Sequence, residues 1–227
     1  IFVFLFLFAV SQDSYAEEGR SMTLRKRPPS EKTGFYQESA VRNLLKGKTF
    51  SPDSISLLAI RVAFEDLDFW PGSEISPPHD SLYLHNELRH LREYYSGASN
   101  GRFKLKFELY GEVVQLSRPQ AYYGDDEENW DWKVLEMLIE VVERADPLID
   151  FSRFESFALI HAGPGEETDI LGDSPQQLWS GFLDPVEIEE ALADTLATPG
   201  VATGDTNAEG VFYIDNLIVL PEDPSQD

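Results

Sequence analysis

The sequence predicts an α/β fold, built on a mixed, largely parallel sheet with helices packed on it. Residues 56–64 and 157–160 are almost continuously apolar, which is typical of strands that are buried on both faces of a sheet. Segments with helical periodicity lie between these two runs. Strands that alternate with helices are joined by crossover connections, and such connections make neighbouring strands parallel.

The first helix is predicted beyond a loop at residues 65–68. Asp80 or Ser81 can cap its first turn, and Gly97 is a typical stop. Its apolar residues follow four-three-four spacing and are Leu84, Leu88, Leu91 and Tyr95. This spacing places them on one face, so the helix is predicted to be amphipathic.

A second strand and a second helix follow. Apolar and polar residues alternate over residues 103–110, which predicts a strand with one buried face, and Gly111 predicts a bulge. The second helix is predicted from Trp130 to Ala145, because its apolar period stops at an Asp-Pro pair. Its predicted buried residues are Val134, Leu138, Val141 and Ala145.

A third helix is predicted to begin at Asp184, a capping residue that is followed by proline and then by Glu187. We expect this helix to end near Pro199. Residues 200–210 are bounded by glycines and predict a loop. The apolar residues 211–220 predict the last strand.

The N-terminal segment looks like the hydrophobic part of a signal peptide. Residues 1–10 are apolar, and Ser14 and Ala16 place small residues where signal peptidase reads them, so cleavage is predicted after Ala16. We expect this signal peptide to be incomplete, because neither a Met nor a basic region precedes the apolar run. The transmembrane alternative requires about 20 apolar residues, more than this run contains. A secreted protein is therefore predicted.

The predicted organisation has three regions. Residues 1–16 are the signal peptide, residues 17–50 are a polar linker or the remnant of a pro-segment, and residues 51–227 form the packed domain. The chain contains no cysteine. This is compatible with export, because a domain of this size can fold without disulfides.

Acidic residues are concentrated in the second half of the chain. Of the 41 acidic residues, 27 lie from Glu112 onward, together with only 4 of the 18 basic residues, and the formal net charge is −23. Such a surface repels nucleic acid and anionic lipid, so we expect neither a nucleic-acid partner nor stable membrane association. It is compatible with calcium sites, which are built from oxygen ligands.

Five short segments carry a family resemblance. In chain order they are Tyr94-Tyr-Ser-Gly-Ala-Ser-Asn-Gly101, Ala121-Tyr-Tyr-Gly124, Phe157-Ala-Leu-Ile-His-Ala-Gly-Pro-Gly-Glu-Glu167, Leu178-Trp-Ser180 and Val219-Leu-Pro-Glu222. In this order they resemble the N-terminal half of secreted zinc metallopeptidases of the immune inhibitor A family, over residues 56–222. The resemblance implies a zincin-like N-terminal subdomain and a protein or peptide substrate.

The zinc motif of that family is not found in the sequence. In the family, His-Glu-x-x-His on a helix binds zinc and activates water, and it follows shortly after the pair that Pro221 and Glu222 match. No stretch of this sequence reads His-Glu-x-x-His. We therefore expect residues 51–227 to be a partial metallopeptidase domain that ends before its zinc-binding helix.

The parent protein is then predicted to be a zinc metalloendopeptidase. This chain alone is expected to be inactive, with neither zinc ligands nor a general base. The alternative is a non-catalytic secreted binding module on the same scaffold.

The resemblance also implies which residues border the substrate cleft. The segment from Gly163 to Ser180 is expected to lie beside an extended peptide, which commonly binds a sheet edge as an added strand. The residues expected to border the cleft are His161, Gly163, Gly165, Glu166, Glu167, Trp179 and Ser180. His161 with Glu166, Glu167 and Asp169 could also form a metal cluster. A strand end and polar turn is favoured, because one histidine among carboxylates is a weak zinc pattern.

Two further patterns resemble catalytic motifs. His85 and His90 are five residues apart, and therefore about 140° apart around a helix, which predicts an exposed face rather than one zinc site. Glu87 and His90 match half of a di-iron site, which requires a second copy. Ser99 lies in a Gly-x-Ser-x-Gly pattern, but a serine nucleophile requires a strand that runs into a helix. The predicted order here is helix into strand, so a turn is favoured.

The acidic residues 125–131 are a candidate calcium loop by charge. An EF-hand requires glycine where Trp130 stands, so an exposed acidic loop before a helix is the favoured interpretation.

Overall fold

The computed structural model describes residues 53–125, 130–169, 176–193 and 195–223. The predicted signal peptide, its cleavage site and the linker lie outside these residues, as does most of the acidic segment 125–131. None of the helices in these ranges combines the length and the hydrophobicity that a membrane span requires.

The described residues form seven strands and four α-helices. The strands are β1 (Ser54–Ala63), β2 (Lys104–Gln115), β3 (Ser156–Pro164), β4 (Gly181–Leu183), β5 (Val201–Asn207), β6 (Gly210–Ile214) and β7 (Leu217–Asp223). The helices are α1 (Ser81–Ala98), α2 (Gln120–Tyr123), α3 (Trp130–Ala145) and α4 (Pro185–Leu192). Single 3-10 turns lie at Phe151–Arg153 and Glu166–Thr168.

Five of the strands form one sheet in the order β2-β1-β3-β7-β4. β1 is parallel to β2 and β3, and β7 is parallel to β3, whereas β4 is antiparallel to β7. The predicted α/β fold with a mixed, largely parallel sheet is confirmed. The pairing of β1 with β2 shifts between Ala59 and Arg61, opposite Leu109 and Val113. The bulge predicted at Gly111 is therefore confirmed as well.

The main core lies between the sheet and α3. Alternate residues of β1, namely Leu58, Ile60 and Val62, belong to the same buried cluster as the apolar face of α3. All four residues predicted for that face are buried, namely Val134, Leu138, Val141 and Ala145. Helix α4 joins the same core through Ile188 and Leu192.

The other face of the sheet is covered by α1. The crossovers β1-α1-β2 and β2-α3-β3 run in opposite directions along the sheet, so right-handed connections place α1 and α3 on opposite faces. Asp80 caps α1 as predicted, because its side chain accepts hydrogen bonds from the backbone N–H groups of residues 82 and 83. Leu84 and Leu88 are buried, whereas Leu91 and Tyr95 are half-buried.

The end of α4 differs from the prediction. The helix begins with the capping box expected at Asp184, but it ends at Leu192 rather than near Pro199. The carbonyl oxygen of Leu192 accepts hydrogen bonds from the backbone N–H groups of residues 195–197. Ala197 adopts a φ of +50°, in the left-handed region. The chain therefore leaves the helix through a tight turn.

The loop predicted at residues 200–210 is wrong, because β5 and β6 form an antiparallel hairpin there. The single strand predicted at residues 211–220 is likewise two strands, β6 and β7. Distant residues hold β5 in place: Asp146 Oδ1 accepts the backbone N–H of Gly204 (2.7 Å), and Asp205 Oδ2 accepts that of Phe151 (2.6 Å). A side chain at Gly204 would collide with the Asp146 carboxylate. The glycine that weakens the strand signal thus leaves room for this hydrogen-bonded carboxylate.

Leu138→Ala should lower the free energy of unfolding by about 2–5 kcal/mol, because it removes a buried side chain and leaves a cavity. Leu148→Ala makes the same chemical change at a residue that is 67% exposed, and it should cost less than about 0.5 kcal/mol. Urea unfolding of both variants measures the difference. Equal effects would contradict the position of α3 in the core.

Candidate functional site

The carboxyl ends of the parallel strands meet along one edge of the sheet, where open α/β sheets bind their ligands. β1, β3 and β7 end there at Ala63, Pro164 and Asp223. We call this the carboxyl edge. It is bordered by the 70–79 loop, the 163–168 turn and the 178–180 strap.

The 163–168 turn is hydrogen-bonded to the 178–180 strap. The backbone N–H of Glu166 donates to the carbonyl of Leu178 (3.0 Å). The Glu167 carboxylate accepts the backbone N–H of Ser180 (3.1 Å) and also its hydroxyl. Because this carboxylate folds back over the turn, a side chain at Gly165 would collide with it. The structure therefore brings together residues that were predicted to border one cleft.

The strap leads directly into β4, the outermost strand of the sheet. Trp179 is half-buried, and Phe182 at the centre of β4 is 37% exposed. β4 is the last strand in the sheet order and pairs with β7.

The end of helix α2 packs against the residues that lead into the strap. Gly124, directly after this helix, approaches the backbone of Gln176 and Gln177 so closely that any side chain would collide with it. The hydroxyl of the buried Tyr123 donates to Glu140 Oε2 on α3 (2.6 Å). Burial and the neighbouring carboxylate raise the pKa of Tyr123 well above its usual range. The phenol therefore stays protonated and anchors α2 to α3.

A buried polar cluster at the carboxyl edge centres on Glu222, whose side chain is only 4% exposed. Its Oε1 accepts the backbone N–H of Gly163 (2.6 Å), and its Oε2 accepts the backbone N–H of Trp70 (2.9 Å). Oε2 also lies 2.9 Å from Nδ1 of His79, which carries a proton because a carboxylate can only accept. We call this the Glu222 cluster.

The Glu222 cluster was not predicted from the sequence. His79 had no predicted role, and Glu222 was predicted only as part of the family resemblance. The partners of Glu222 lie 59, 143 and 152 residues away along the chain. No local pattern can signal such a cluster, because its members meet only when the sheet has formed.

The 70–79 loop is closed at its base by a hydrogen bond from the backbone N–H of His79 to the carbonyl of Trp70 (2.9 Å). Gly72 adopts a φ of +89°, and a side chain there would collide with Pro78. Ile75 is 96% exposed at the tip of the loop. Because both ends of the loop are bonded to Glu222, the loop reaches from β1 to the end of β7.

His161 differs from the other predicted cleft residues, because its ring is completely buried. It packs against Phe64, with 5.9 Å between ring centroids. Nδ1 lies 2.9 Å from the carbonyl oxygen of Ala162 and therefore carries the proton, and Nε2 has no hydrogen-bond partner among the described residues. Burial lowers the pKa of His161 to about 4, although the bond to Ala162 raises it. His161 is thus neutral at pH 7.

The side chains described at the carboxyl edge are not arranged as a zinc site. Over the described ranges, no group of three or more histidine, aspartate and glutamate side chains is placed to hold a metal ion. The family resemblance implies a zinc ion whose ligands lie outside this chain. The calcium loop predicted at residues 125–131 lies mostly outside the described residues.

The other histidine candidates lie on the exposed face of α1. The ring of His85 packs edge-to-face on Phe107, with 5.2 Å between centroids. Nδ1 of His90 lies 3.7 Å from a carboxylate oxygen of Glu87, and both side chains are exposed. The prediction of an exposed helix face is confirmed.

Ser99 lies at the opposite edge of the sheet from His161. It precedes β2, which begins alongside Ser54, whereas His161 pairs with Val62, eight residues or about 26 Å further along β1. The Oγ atom of Ser99 accepts the backbone N–H of Phe103 (2.9 Å) and donates to a carbonyl of the preceding helical turn (3.2 Å). The prediction of a turn is confirmed, and the hydroxyl links α1 to β2.

A scan against protein-family models finds no matching family, and a search of curated proteins finds no similar sequence. The resemblance of residues 56–222 to immune inhibitor A peptidases therefore stays a prediction.

His161 should make the stability of the chain depend on pH. Its pKa is about 4 in the folded chain and about 6.5 in an unfolded one, so between these values only the unfolded chain binds the proton. The contribution of the neutral His161 ring to the free energy of unfolding is complete above about pH 6.5. It falls toward pH 4 by up to about 3 kcal/mol. His161→Gln, which does not titrate, should lose most of this slope in urea unfolding at pH 4 to 7. An unchanged slope would contradict the burial of the ring.

Proposed function

We propose that this chain is the N-terminal part of a secreted zinc metalloendopeptidase, in which it forms the sheet and one wall of the substrate cleft. The observation that supports this most directly is the bonding of the 163–168 turn to the 178–180 strap, where residues predicted to border one cleft lie together. A protein substrate would lie along this turn and strap in extended form.

The hydrogen bonds between the turn and the strap favour these two segments as one wall of a peptide-binding cleft. The bonds from Glu166 to Leu178 and from Glu167 to Ser180 hold the residues that directly precede the strand. Main-chain pairing accepts many sequences, whereas nearby side chains discriminate among them. Phe182 offers apolar surface at the centre of β4.

Hydrolysis itself is assigned to residues outside this sequence. The zinc that the resemblance implies has no ligand set among the described side chains, and the sequence contains no His-Glu-x-x-His. The role of the chain is then to bind and orient the substrate. Secretion belongs to the same proposal and rests on the apolar residues 1–10 and the small residues before position 17.

A non-catalytic secreted binding module is the alternative function. It is favoured by the same turn and strap, because peptide binding there needs no reactive group. The two functions therefore share the binding site and differ in the chemistry that accompanies it.

The gene sequence that follows the codon of Asp227 separates these two functions. We expect His-Glu-x-x-His in frame within the next few dozen codons, followed by a further metal ligand, because the resemblance places the motif shortly after Glu222. A stop codon, or a motif that lacks its histidines or its glutamate, would favour the binding module.

Peptide binding tests the site that both functions use. A pool of random-sequence decapeptides should shift the backbone amide NMR signals of residues 165–168 and 178–180 in the 227-residue chain, because the extended peptide lies along the turn and the strap. A fully N-methylated pool has no main-chain N–H donors and should leave these signals unchanged. Equal shifts with both pools, or no shift at either segment, would refute the proposed site.

A further inference from the structure

We propose that Arg61 anchors a second binding site, which takes the carboxylate group of a ligand that carries a single negative charge. Arg61 lies on β1, and the site lies between the sheet and the first turn of α1, beside the bulge at Gly111. This inference goes beyond the proposed function. Neither of the two depends on the other, because Arg61 has no part in the peptide site.

The side chain of Arg61 is on the α1 face of the sheet. Residues 58, 60 and 62 of β1 belong to the core on the α3 face, and successive side chains of a strand point to opposite faces. Leu178 of the strap belongs to the core on the α3 face. Arg61 and Leu178 are therefore on opposite faces of the sheet.

The bonding of the Arg61 guanidinium is the first observation behind this proposal. The residue is only 8% exposed. Nη2 donates to the carbonyl of Gly111 (2.7 Å), whereas Nε is buried and has no hydrogen-bond partner among the described residues. Within the same residues, no carboxylate forms an ion pair with Arg61. A buried charge is strongly unfavourable unless it is paired and hydrogen-bonded, so an anion that accepts from Nε would supply the missing partner.

The charges around Arg61 determine which anion fits. Burial lowers the pKa of Arg61 and the nearby Asp80 raises it, but an arginine side chain is not deprotonated at pH 7. Oδ1 of Asp80 caps α1, because it accepts the backbone N–H groups of residues 82 and 83. One positive charge beside one negative charge favours a monoanion over a doubly charged phosphate. A carboxylate also matches the planar donors of a guanidinium.

The bulge at Gly111 leaves room for a ligand to approach. A side chain added at Gly111 would meet no described atom within 4 Å. Residues 111 and 112 are exposed, and Val113, which pairs with Arg61, is 38% exposed. Water screens the charge of the exposed Glu112. The carboxylate is therefore expected to reach Arg61 from the side of the bulge.

Formate tests the site directly in the 227-residue chain. At pH 7 and constant ionic strength, formate should shift the Nε–H NMR signal of Arg61 and saturate, with half-saturation on the order of 10 mM. Chloride at the same ionic strength should not shift it. Absence of a shift, a shift that does not saturate, or an equal shift with chloride would overturn the proposal.

Two arginine variants test whether the guanidinium holds the anion. Arg61→Gln removes the charge, and formate should then shift the backbone amide signals of residues 111–113 at least about tenfold more weakly in affinity. Arg153→Gln makes the same change at an exposed arginine that pairs with Glu108 Oε2 (3.1 Å), and it should leave formate affinity unchanged. Equal losses in both variants would indicate general charge attraction and would overturn the site.

Asp80→Asn tests the location of the site beside α1. Asparagine caps a helix about as well as aspartate, but it removes the negative charge next to Arg61. Formate affinity should therefore rise about two- to fivefold. Unchanged affinity would contradict a site beside Asp80. If Arg61→Gln does not fold, this variant and the Nε–H signal of the wild-type chain decide.

Two further probes separate a free acid from the end of a peptide. N-acetylglycine carries the carboxylate of a peptide C-terminus, and N-acetylglycinamide is its neutral counterpart. A saturating shift of the Arg61 Nε–H signal with N-acetylglycine would support a site for peptide ends, whereas a shift with formate alone would support a site for small free acids. An equal shift with the neutral amide would overturn carboxylate recognition. All of these results are independent of decapeptide binding at the turn and the strap.

Discussion

The parallel pairing of β1 with a strand on each side is the constraint on which the rest of the structure depends. Residues 57–63 are all buried, because both faces of β1 are covered by helices that the two crossovers require. The same pairing sends the ends of β1 and β3 to one edge of the sheet, and β7 joins them there. The turn, the loop and the strap that border the candidate site owe their proximity to this arrangement.

Buried polar groups near that edge are accommodated in different ways. His161 is neutral at pH 7, because burial lowers its pKa to about 4. Glu222 is surrounded by three donors. Arg61 donates from Nη2 to the carbonyl of Gly111 (2.7 Å), and burial lowers its pKa despite the attraction of Asp80. The bulge at Gly111 thus supplies an acceptor as well as a break in the pairing.

The two outer strands of the sheet are both poorly suited to pairing with another chain. β2 exposes Lys104 and Lys106 and is interrupted by the bulge at Gly111, and both features discourage pairing. β4 has only three residues, and so short an outer strand also limits pairing. Peptide binding is therefore assigned to the turn and the strap rather than to an outer strand.

Features that depend on neighbouring residues were predictable from the sequence alone. These include the α/β class, the apolar face of α3, the caps at Asp80 and Asp184 and the bulge at Gly111, because periodicity and capping act over a few residues. The tertiary structure decided the β5–β6 hairpin, the burial of His161 and the Glu222 cluster. Gly204 and Asp205 are poor strand formers, and they lie in β5 because residues 146 and 151 bond to them. Such bonds join segments far apart in the chain, so they leave no local pattern from which they could have been predicted.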